Sequence, residues 1–253
     1  MTHYIALTCS ALARSVYAAA AVAEPVVSVR LFDQGLHNAP RSLRGRLQAA
    51  VDAVTPGECD AILLAYGICG TATIGLTAHH TPLVIPRAHD CITLYLGSRR
   101  RYQDEFDAYP GTYWYSQDYL ERNPSSSGVA LGAASIQVSE SIYQQYVEKY
   151  GQDNADYLME VMGEWGSHYN RAVFIDTGLG DGAIYEQRAR EQAEKRGWRY
   201  EKRAGDRGIT DRLLSGRWSE EEFLIIPPGH RIVQAVGDQL VQAQAVTDEP
   251  PET

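Results

Sequence analysis

Three of the four cysteines follow short apolar runs of the kind that form buried β-strands. These three residues are Cys9, Cys69 and Cys91. The carboxyl ends of parallel strands meet at one edge of a sheet, so we expect the three thiols to converge there. Cys59 precedes its apolar run, and we expect it at the opposite edge as an ordinary thiol.

Converging thiols predict a metal site. Thiolates and neutral imidazoles are the ligands that zinc prefers, and His89 lies two residues before Cys91. We therefore predict zinc at Cys9, Cys69 and Cys91, with His89 as a further ligand. The alternative at the same three cysteines is a [4Fe–4S] cluster with one iron open to substrate. Buried cysteines also follow strands in proteins without metals, so the spacing is equally compatible with ordinary buried thiols in the core.

Metal-assisted chemistry also needs groups that carry protons. Three residues at predicted strand ends are candidates for this catalytic role: Asp90, Asp176 and His230. For Asp176, capping of the following turn is an equally good interpretation. His230 is also compatible with a surface loop.

Substrate binding requires hydrogen-bond donors at the same edge. A guanidinium binds a carboxylate or phosphate through two hydrogen bonds, and a helix N-terminus attracts anions. Glycines on both sides of Cys69 allow the backbone to turn tightly. The residues predicted to bind substrate are Ser10, Arg87, Gly67, Gly70 and Thr177. For Ser10, a plain helix N-cap is the alternative.

The elements that must position these residues alternate between strand and helix. Apolar runs predict strands at residues 3–8, 26–32, 60–66, 83–86, 112–115, 171–176, 198–202 and 223–226. Helical periodicity predicts helices at residues 11–23, 41–54, 92–109, 184–196 and 211–215, and a long, mainly helical stretch at 135–169. This alternation predicts an α/β fold with mainly parallel sheets, helices on both faces and two similar halves around a cleft.

The predicted domain organisation follows the long helical stretch. Residues 1–132 form the N-terminal α/β half with the cysteine-bearing strand ends. Residues 133–246 comprise the helical stretch and the second half. Residues 247–253 are acidic and proline-rich, which predicts a disordered tail.

Composition excludes several classes of protein. The chain has 253 residues, 44% of them apolar, and its net charge of -9 repels nucleic-acid backbones and anionic membranes. No apolar run approaches the roughly 18 residues of a membrane span. The N-terminal apolar stretch lacks the basic residues of a signal peptide. We therefore expect a cytoplasmic protein whose cysteines are thiols or metal ligands.

Several motifs, in order, resemble the family called domain of unknown function 1638. The motifs are Ala65-Tyr66-Gly67-Ile68-Cys69-Gly70, Pro86-Arg87-Ala88-His89-Asp90-Cys91, Leu96-Gly97-Ser98, Pro110-Gly111-Thr112-Tyr113 and Phe174-Ile175-Asp176-Thr177-Gly178. The resemblance runs from about Cys9 to about His230. Members have a cysteine after the first strand, a Cys-Gly pair and a histidine near a third cysteine. Here Asp90 stands between His89 and Cys91, so the resemblance does not decide whether His89 is a metal ligand.

The resemblance also implies a metabolic setting. Members of the family are often encoded near corrinoid-dependent methyltransferases, which implies one-carbon or methyl-transfer metabolism. A corrinoid protein or a methyltransferase is then the expected partner, and a corrinoid a further candidate cofactor. We expect a metal-dependent enzyme acting on a small molecule. The alternative is an accessory protein that hands a corrinoid, metal or small ligand to a methyltransferase without catalysis.

Overall fold

The structure is a computed structural model that describes residues 1–68, 71–122, 147–148, 151–152, 154, 169–235 and 237–246. The chain divides into two compact units, one formed by residues 1–102 and 206–253 and the other by residues 103–205. The predicted boundary after residue 132, the predicted tail and nearly all of the stretch 135–169 lie outside the described residues.

The described strands are β1 (His3–Cys9), β2 (Val26–Phe32), β3 (Ala61–Ala65), β4 (Thr77–Ala78), β5 (Leu83–Pro86), β6 (Thr112–Ser116), β7 (Arg171–Asp176), β8 (Arg199–Ala204), β9 (Phe223–Ile226), β10 (His230–Gln234) and β11 (Val241–Ala245). The described α-helices are α1 (Ala13–Ala20), α2 (Pro40–Asp52), α3 (Cys91–Leu96), α4 (Arg99–Ala108), α5 (Gln117–Glu121), α6 (Ala183–Lys195) and α7 (Gly208–Leu214). Among the described residues, no helix is both long enough and apolar enough to cross a membrane.

The first unit is built on a five-stranded sheet with the order β2-β1-β3-β5-β9. The first four strands in this order are parallel, and β9 pairs antiparallel with β5. Alternate residues of β1, β3 and β5 pack against apolar residues of α2, such as Leu43 and Leu47, to form a core. The predicted α/β class and mainly parallel sheet are thus confirmed, while the two similar halves around a cleft stay a prediction.

A small antiparallel sheet in the first unit was not expected from the sequence. Its order is β11-β10-β4, and β4 has only two residues. Strands β10 and β11 each contribute one buried apolar residue to the core, Ile232 and Val241. Such short, polar strands carry too weak a hydrophobic pattern to be recognised from the sequence.

The predicted helix at residues 92–109 is wrong because the chain breaks at Gly97 into α3 and α4. Gly97 has a φ of 70°, in the left-handed region that favours glycine. A side chain there would also meet Asp206, whose Cβ lies 2.7 Å from the position of an added Cβ. Gly97 is thus the left-handed C-cap of α3, and its lack of a side chain also leaves room for Asp206.

The second unit is a parallel sheet with the order β6-β7-β8. Tyr113 and Phe174 on one face pack against Ala189 and Ala193 of α6. Because side chains alternate along a strand, Arg171, next to Ala172 in β7, projects from the other face. One face of this sheet is thus apolar and aromatic, whereas the other combines the charge of Arg171 with the buried side chains of Trp114, Val173 and Ile175.

Arg171 is the centre of a buried network of charges. Its side chain is 1% exposed and lies 2.8 Å from both Glu105 and Glu201. Arg203 also contacts both carboxylates, at 2.9 Å from Glu105 and 2.6 Å from Glu201. The ring of Tyr109 packs against the guanidinium of Arg171, 4.1 Å from its central carbon to the ring centroid. The guanidinium thus exchanges its hydration for carboxylates and an aromatic face.

We predict that Arg171→Met lowers the free energy of unfolding by about 3–5 kcal/mol, because it leaves two largely buried carboxylates without their main partner. Urea unfolding followed by circular dichroism measures this loss. Arg199→Ala is the matched control, since Arg199 pairs with the same Glu201 but is 70% exposed. Its cost should stay below about 1 kcal/mol. Equal losses in the two variants would contradict a special role of the buried guanidinium.

The same network predicts sensitivity to acid. The hydrogen bond from Arg171 lowers the pKa of Glu201. Burial raises the pKa of Glu105, but the hydrogen bonds from Arg171 and Arg203 outweigh burial and lower it. Depressed carboxylate pKa values stabilise the folded state above the usual Glu pKa of about 4.3, and this stabilisation is lost as the pH falls through the lower folded values. Urea midpoints measured from pH 6 to pH 3 should fall more steeply in the unsubstituted protein than in Glu201→Gln.

Candidate functional site

The strand order brings the cysteine-bearing strand ends together. Strand β3 lies between β1 and β5, and the three strands are parallel. Cys9 ends β1 and Cys91 begins α3, five residues after β5. The segments after all three strands therefore leave from one edge of the sheet. Cys69 and Gly70, which follow β3 in the sequence, lie outside the described residues.

A close backbone contact joins the segments that follow β3 and β5. An added Cβ at Gly67 would lie 2.4 Å from the Cα of Asp90, which is closer than any real side chain tolerates. The amide of Ile68 donates a 3.0 Å hydrogen bond to the carbonyl of Ala88. Gly67 was predicted to bind substrate, and the structure shows that its missing side chain permits this contact.

Asp90, a predicted proton carrier, is the N-cap of α3. Its Oδ1 accepts hydrogen bonds from the amides of Ile92 at 2.9 Å and Thr93 at 3.2 Å. Its Oδ2 accepts a 3.1 Å hydrogen bond from the Tyr102 hydroxyl. The carboxylate is largely buried. Asp90 therefore fixes the start of the helix that carries Cys91.

His89, a predicted metal ligand, lies on the surface beside this cap. Its side chain is 66% exposed, and its Nδ1 lies 3.9 Å from Oδ2 of Asp90. Its ring stacks on Tyr102, with 6.0 Å between ring centroids. The interaction with the Asp90 carboxylate raises the pKa of His89, outweighing the opposite effect of partial burial. Asp90 thus favours the imidazolium form.

His37 is a candidate that the sequence analysis did not select. It lies in the 3₁₀ turn Gln34–Asn38, which follows β2 at the same edge of the sheet. Burial lowers the pKa of His37, and the negative charge of Asp90 partly offsets this effect. The carboxylate of Asp90 is therefore within electrostatic reach of two imidazoles. The position of His37 after a predicted strand was the signal available in the sequence.

Tyr66 is a second residue that the sequence analysis missed as a site residue. It follows β3 directly, and its side chain is 8% exposed. Among the described residues, the hydroxyl has no hydrogen-bond partner. Burial, and then the negative charge of Cys9, raise the pKa of Tyr66. The hydroxyl therefore stays protonated in the neighbourhood of Cys9.

Ser10 and Arg87, predicted to bind substrate, contact the protein's own backbone. Ser10 Oγ accepts a 3.1 Å hydrogen bond from the amide of Gln34, which joins the segments after β1 and β2. The guanidinium of Arg87 donates to the carbonyls of Glu220 at 2.9 Å, Gln239 at 2.7 Å and Val241 at 2.5 Å. These bonds tie the end of β5 to the C-terminal part of the first unit.

The other predicted site residues do not follow the parallel strands of the first sheet, contrary to the expectation of one shared edge. Because β9 runs antiparallel to β5, the chain leaves β9 at the opposite edge from Cys9 and continues into β10. His230 begins β10 and pairs with Ala78 of β4. Asp176 and Thr177 belong to the second unit, where the Asp176 carboxylate lies 2.8 Å from Nζ of Lys202. That hydrogen bond lowers the pKa of Asp176.

The metal prediction depends on Cys69, whose position is not described. Within the described ranges, which omit residues 69–70, no three histidine, cysteine or acidic residues are grouped closely enough to hold a metal ion. Cys9, Cys59 and Cys91 are thiols that are partly buried. The predicted ligand set of Cys9, Cys69, Cys91 and His89 therefore stays a prediction.

Comparisons with known proteins give one match. The sequence model of a family described as "Protein of unknown function (DUF1638)" matches residues 31–214. This range includes Cys69, His89 and Cys91 and begins after Cys9. No curated protein and no solved structure matches the chain. The match covers most of the chain and confirms the family resemblance of the motifs.

We predict that Gly67→Ala lowers the free energy of unfolding by about 1–3 kcal/mol or more, because the added methyl group collides with backbone atoms of Asp90. Urea unfolding measures the loss. Gly45→Ala in α2 is the control, since an added Cβ there meets no atom within 4 Å. That substitution should stabilise the helix by up to about 1 kcal/mol. A Gly67→Ala variant as stable as the unsubstituted protein would show that the two segments can separate without cost.

Proposed function

Because the chain belongs to the DUF1638 family of proteins of unknown function, we propose a function from its own geometry. The protein is a metal-dependent enzyme that acts on a small molecule at the carboxyl edge of the first sheet. The observation that carries this proposal is the position of β3 between β1 and β5. It places the strand before Cys69 between the strands that precede Cys9 and Cys91.

The spacing of the strands supports a shared site. Neighbouring strands lie about 4.8 Å apart, so the ends of β1 and β5 are about 10 Å apart across β3. The contact between Gly67 and Asp90 brings the segment after β3 close to the segment after β5. Side chains from the three strand ends can meet over the end of β3 at these distances. Three thiols are a donor set that fits zinc.

In the proposed site, a metal cofactor supplies the Lewis acid, and side chains of the protein accept protons and hold the site in place. Zinc held by Cys9, Cys69 and Cys91, with His89 as a further donor, would supply a Lewis acid that activates a thiol or a water molecule. Burial favours the neutral form of His37, which can accept a proton at neutral pH. Asp90 holds the start of α3 in place and acts electrostatically on both imidazoles.

The setting that we propose is one-carbon or methyl-transfer metabolism in the cytoplasm. Support for this setting comes from the family resemblance, and the thiol-activating chemistry of zinc is compatible with it. A reducing compartment would keep Cys9, Cys69 and Cys91 as thiols. The same three cysteines also suit a [4Fe–4S] cluster with an open iron, which is the second candidate for the cofactor.

Elemental analysis tests the proposed site directly. Protein purified without oxygen and without a metal-binding tag should contain about one zinc per chain, or about four irons with matching sulfide. Cys69→Ala and Cys9→Ala should lose the metal, because each removes one thiolate ligand. A colourless preparation favours zinc, whereas a brown one favours the iron–sulfur cluster.

Cys59→Ala is the matched control for these variants. Cys59 precedes β3 at the opposite edge of the sheet, and burial raises the pKa of its thiol. Removing it should leave the metal content unchanged. Folded and reduced protein without zinc or iron would overturn the proposed enzyme. An accessory protein that binds a small ligand or a corrinoid without catalysis would then be the better proposal.

A further inference from the structure

Three buried polar atoms of the first unit, on residues that follow β3 and on α2, have no hydrogen-bond partner among the described residues. They are the Tyr66 hydroxyl, Thr73 Oγ1 and Arg44 Nε. Tyr66 is 8% exposed and Thr73 is 1% exposed. A buried polar group is costly unless something satisfies it. Arg44 donates a hydrogen bond to the carbonyl of Thr71, two residues before Thr73, so two of these atoms lie on connected segments.

Tyr66 is the member of this group that lies beside the proposed metal site. Thr8 pairs with Ala65, so Cys9 and Tyr66 are the next residues along the two strands. Tyr66 belongs to the core on the α2 side of the sheet, and Cys9 packs against that core. The two side chains therefore lie on the same face, at the ends of neighbouring strands.

Arg44 brings a positive charge to the same part of the unit. It lies on α2, whose apolar residues pack on this face of the sheet. One of its terminal nitrogens, Nη2, donates a 2.8 Å hydrogen bond to the carbonyl of Thr71. Its Nε has no hydrogen-bond partner in the part of the chain that the structure describes. The guanidinium is thus anchored to the chain after β3 while one N–H stays available.

The chemistry of these atoms indicates the class of ligand. The N–H of Arg44 is a donor only, and the two hydroxyls can both donate. A group that accepts several hydrogen bonds and carries negative charge satisfies this set best. A carboxylate has two acceptor oxygens and a charge complementary to Arg44.

We propose that Tyr66 and Arg44 bind a carboxylate group of the small-molecule substrate beside Cys9. This inference rests on the proposed function and adds the substrate class to it, a small carboxylic acid. Tyr66 is then a substrate-binding residue that places the substrate next to the thiolate site.

Acetate is the probe that tests this proposal on the full-length protein as purified. The thermal unfolding midpoint is measured over a range of sodium acetate concentrations, with sodium chloride at equal ionic strength as the reference. A ligand that binds only the folded state raises the midpoint. Acetate should therefore raise it beyond the effect of chloride. No acetate-specific rise in the unsubstituted protein would overturn the proposal.

Tyr66→Phe removes the hydroxyl and keeps the ring. The apparent dissociation constant for acetate should rise by about tenfold or more, the loss typical of a hydrogen bond to a charged group. Without acetate, the midpoint of this variant should be unchanged or higher, since the hydroxyl bonds to none of the described residues. Unchanged acetate binding in Tyr66→Phe would overturn the proposal.

Two further tyrosines serve as controls. Tyr115 in the second unit is buried, and its hydroxyl also has no partner among the described residues. Tyr115→Phe should leave acetate binding unchanged. The Tyr95 hydroxyl donates to the carbonyl of Ala11, so Tyr95→Phe shows the loss expected for a structural hydrogen bond. A Tyr66→Phe variant as destabilised as Tyr95→Phe would assign Tyr66 a structural role instead.

Metal content measured on the same samples separates the two proposals. If metal is present and the unsubstituted protein and Tyr66→Phe bind acetate equally, the carboxylate site is refuted and the metal-dependent enzyme is kept. Metal absent with acetate binding that depends on Tyr66 refutes the metal-dependent enzyme and keeps the carboxylate site. Tyr66→Phe should retain the metal content of the unsubstituted protein, because a protonated phenol is not one of the proposed ligands.

Discussion

The contact between Gly67 and the backbone of Asp90 is the constraint on which the candidate site depends. Two chain segments from neighbouring strands approach more closely than any side chain at Gly67 would permit. The hydrogen bond from Ile68 to Ala88 holds the same approach. Because Asp90 is fixed in this way, it can cap α3 and orient Cys91 at its first residue. The positions of the polar groups around Asp90 therefore depend on the missing side chain of Gly67.

Both units bury polar groups. In the second unit, Arg171 is buried against two carboxylates and an aromatic ring, while its Nε and the hydroxyl of Tyr115 have no hydrogen-bond partner among the described residues. In the first unit, the hydroxyl of Tyr66 is likewise buried without a partner among the described residues. A buried donor without a partner is costly wherever it lies. Tyr66 is distinguished by its position beside Cys9, at the ends of neighbouring strands.

Several strands could be predicted closely from the sequence, whereas longer-range features were missed. Strands β2, β5, β7 and β9 have the predicted bounds, because a run of apolar and β-branched residues is a local signal. The direction of β9 was not predictable, since it depends on pairing with a strand far away in the sequence. For the same reason the sequence placed His230 at the wrong edge. Tyr66 was overlooked because its significance is an absent partner, which only packing reveals.

The antiparallel pairing of β9 with β5 also has a consequence for the order in which the protein is made. Residues 87–222 separate the two strands, and they include the whole of the second unit. During synthesis on the ribosome, the second unit is therefore complete before the sheet of the first unit can close. Until then, the edge of β5 is exposed and Arg87 lacks the carbonyls that it later binds. Such non-local closure is slow, so the edge of β5 stays unpaired for longer than that of a strand whose partner is close in the sequence.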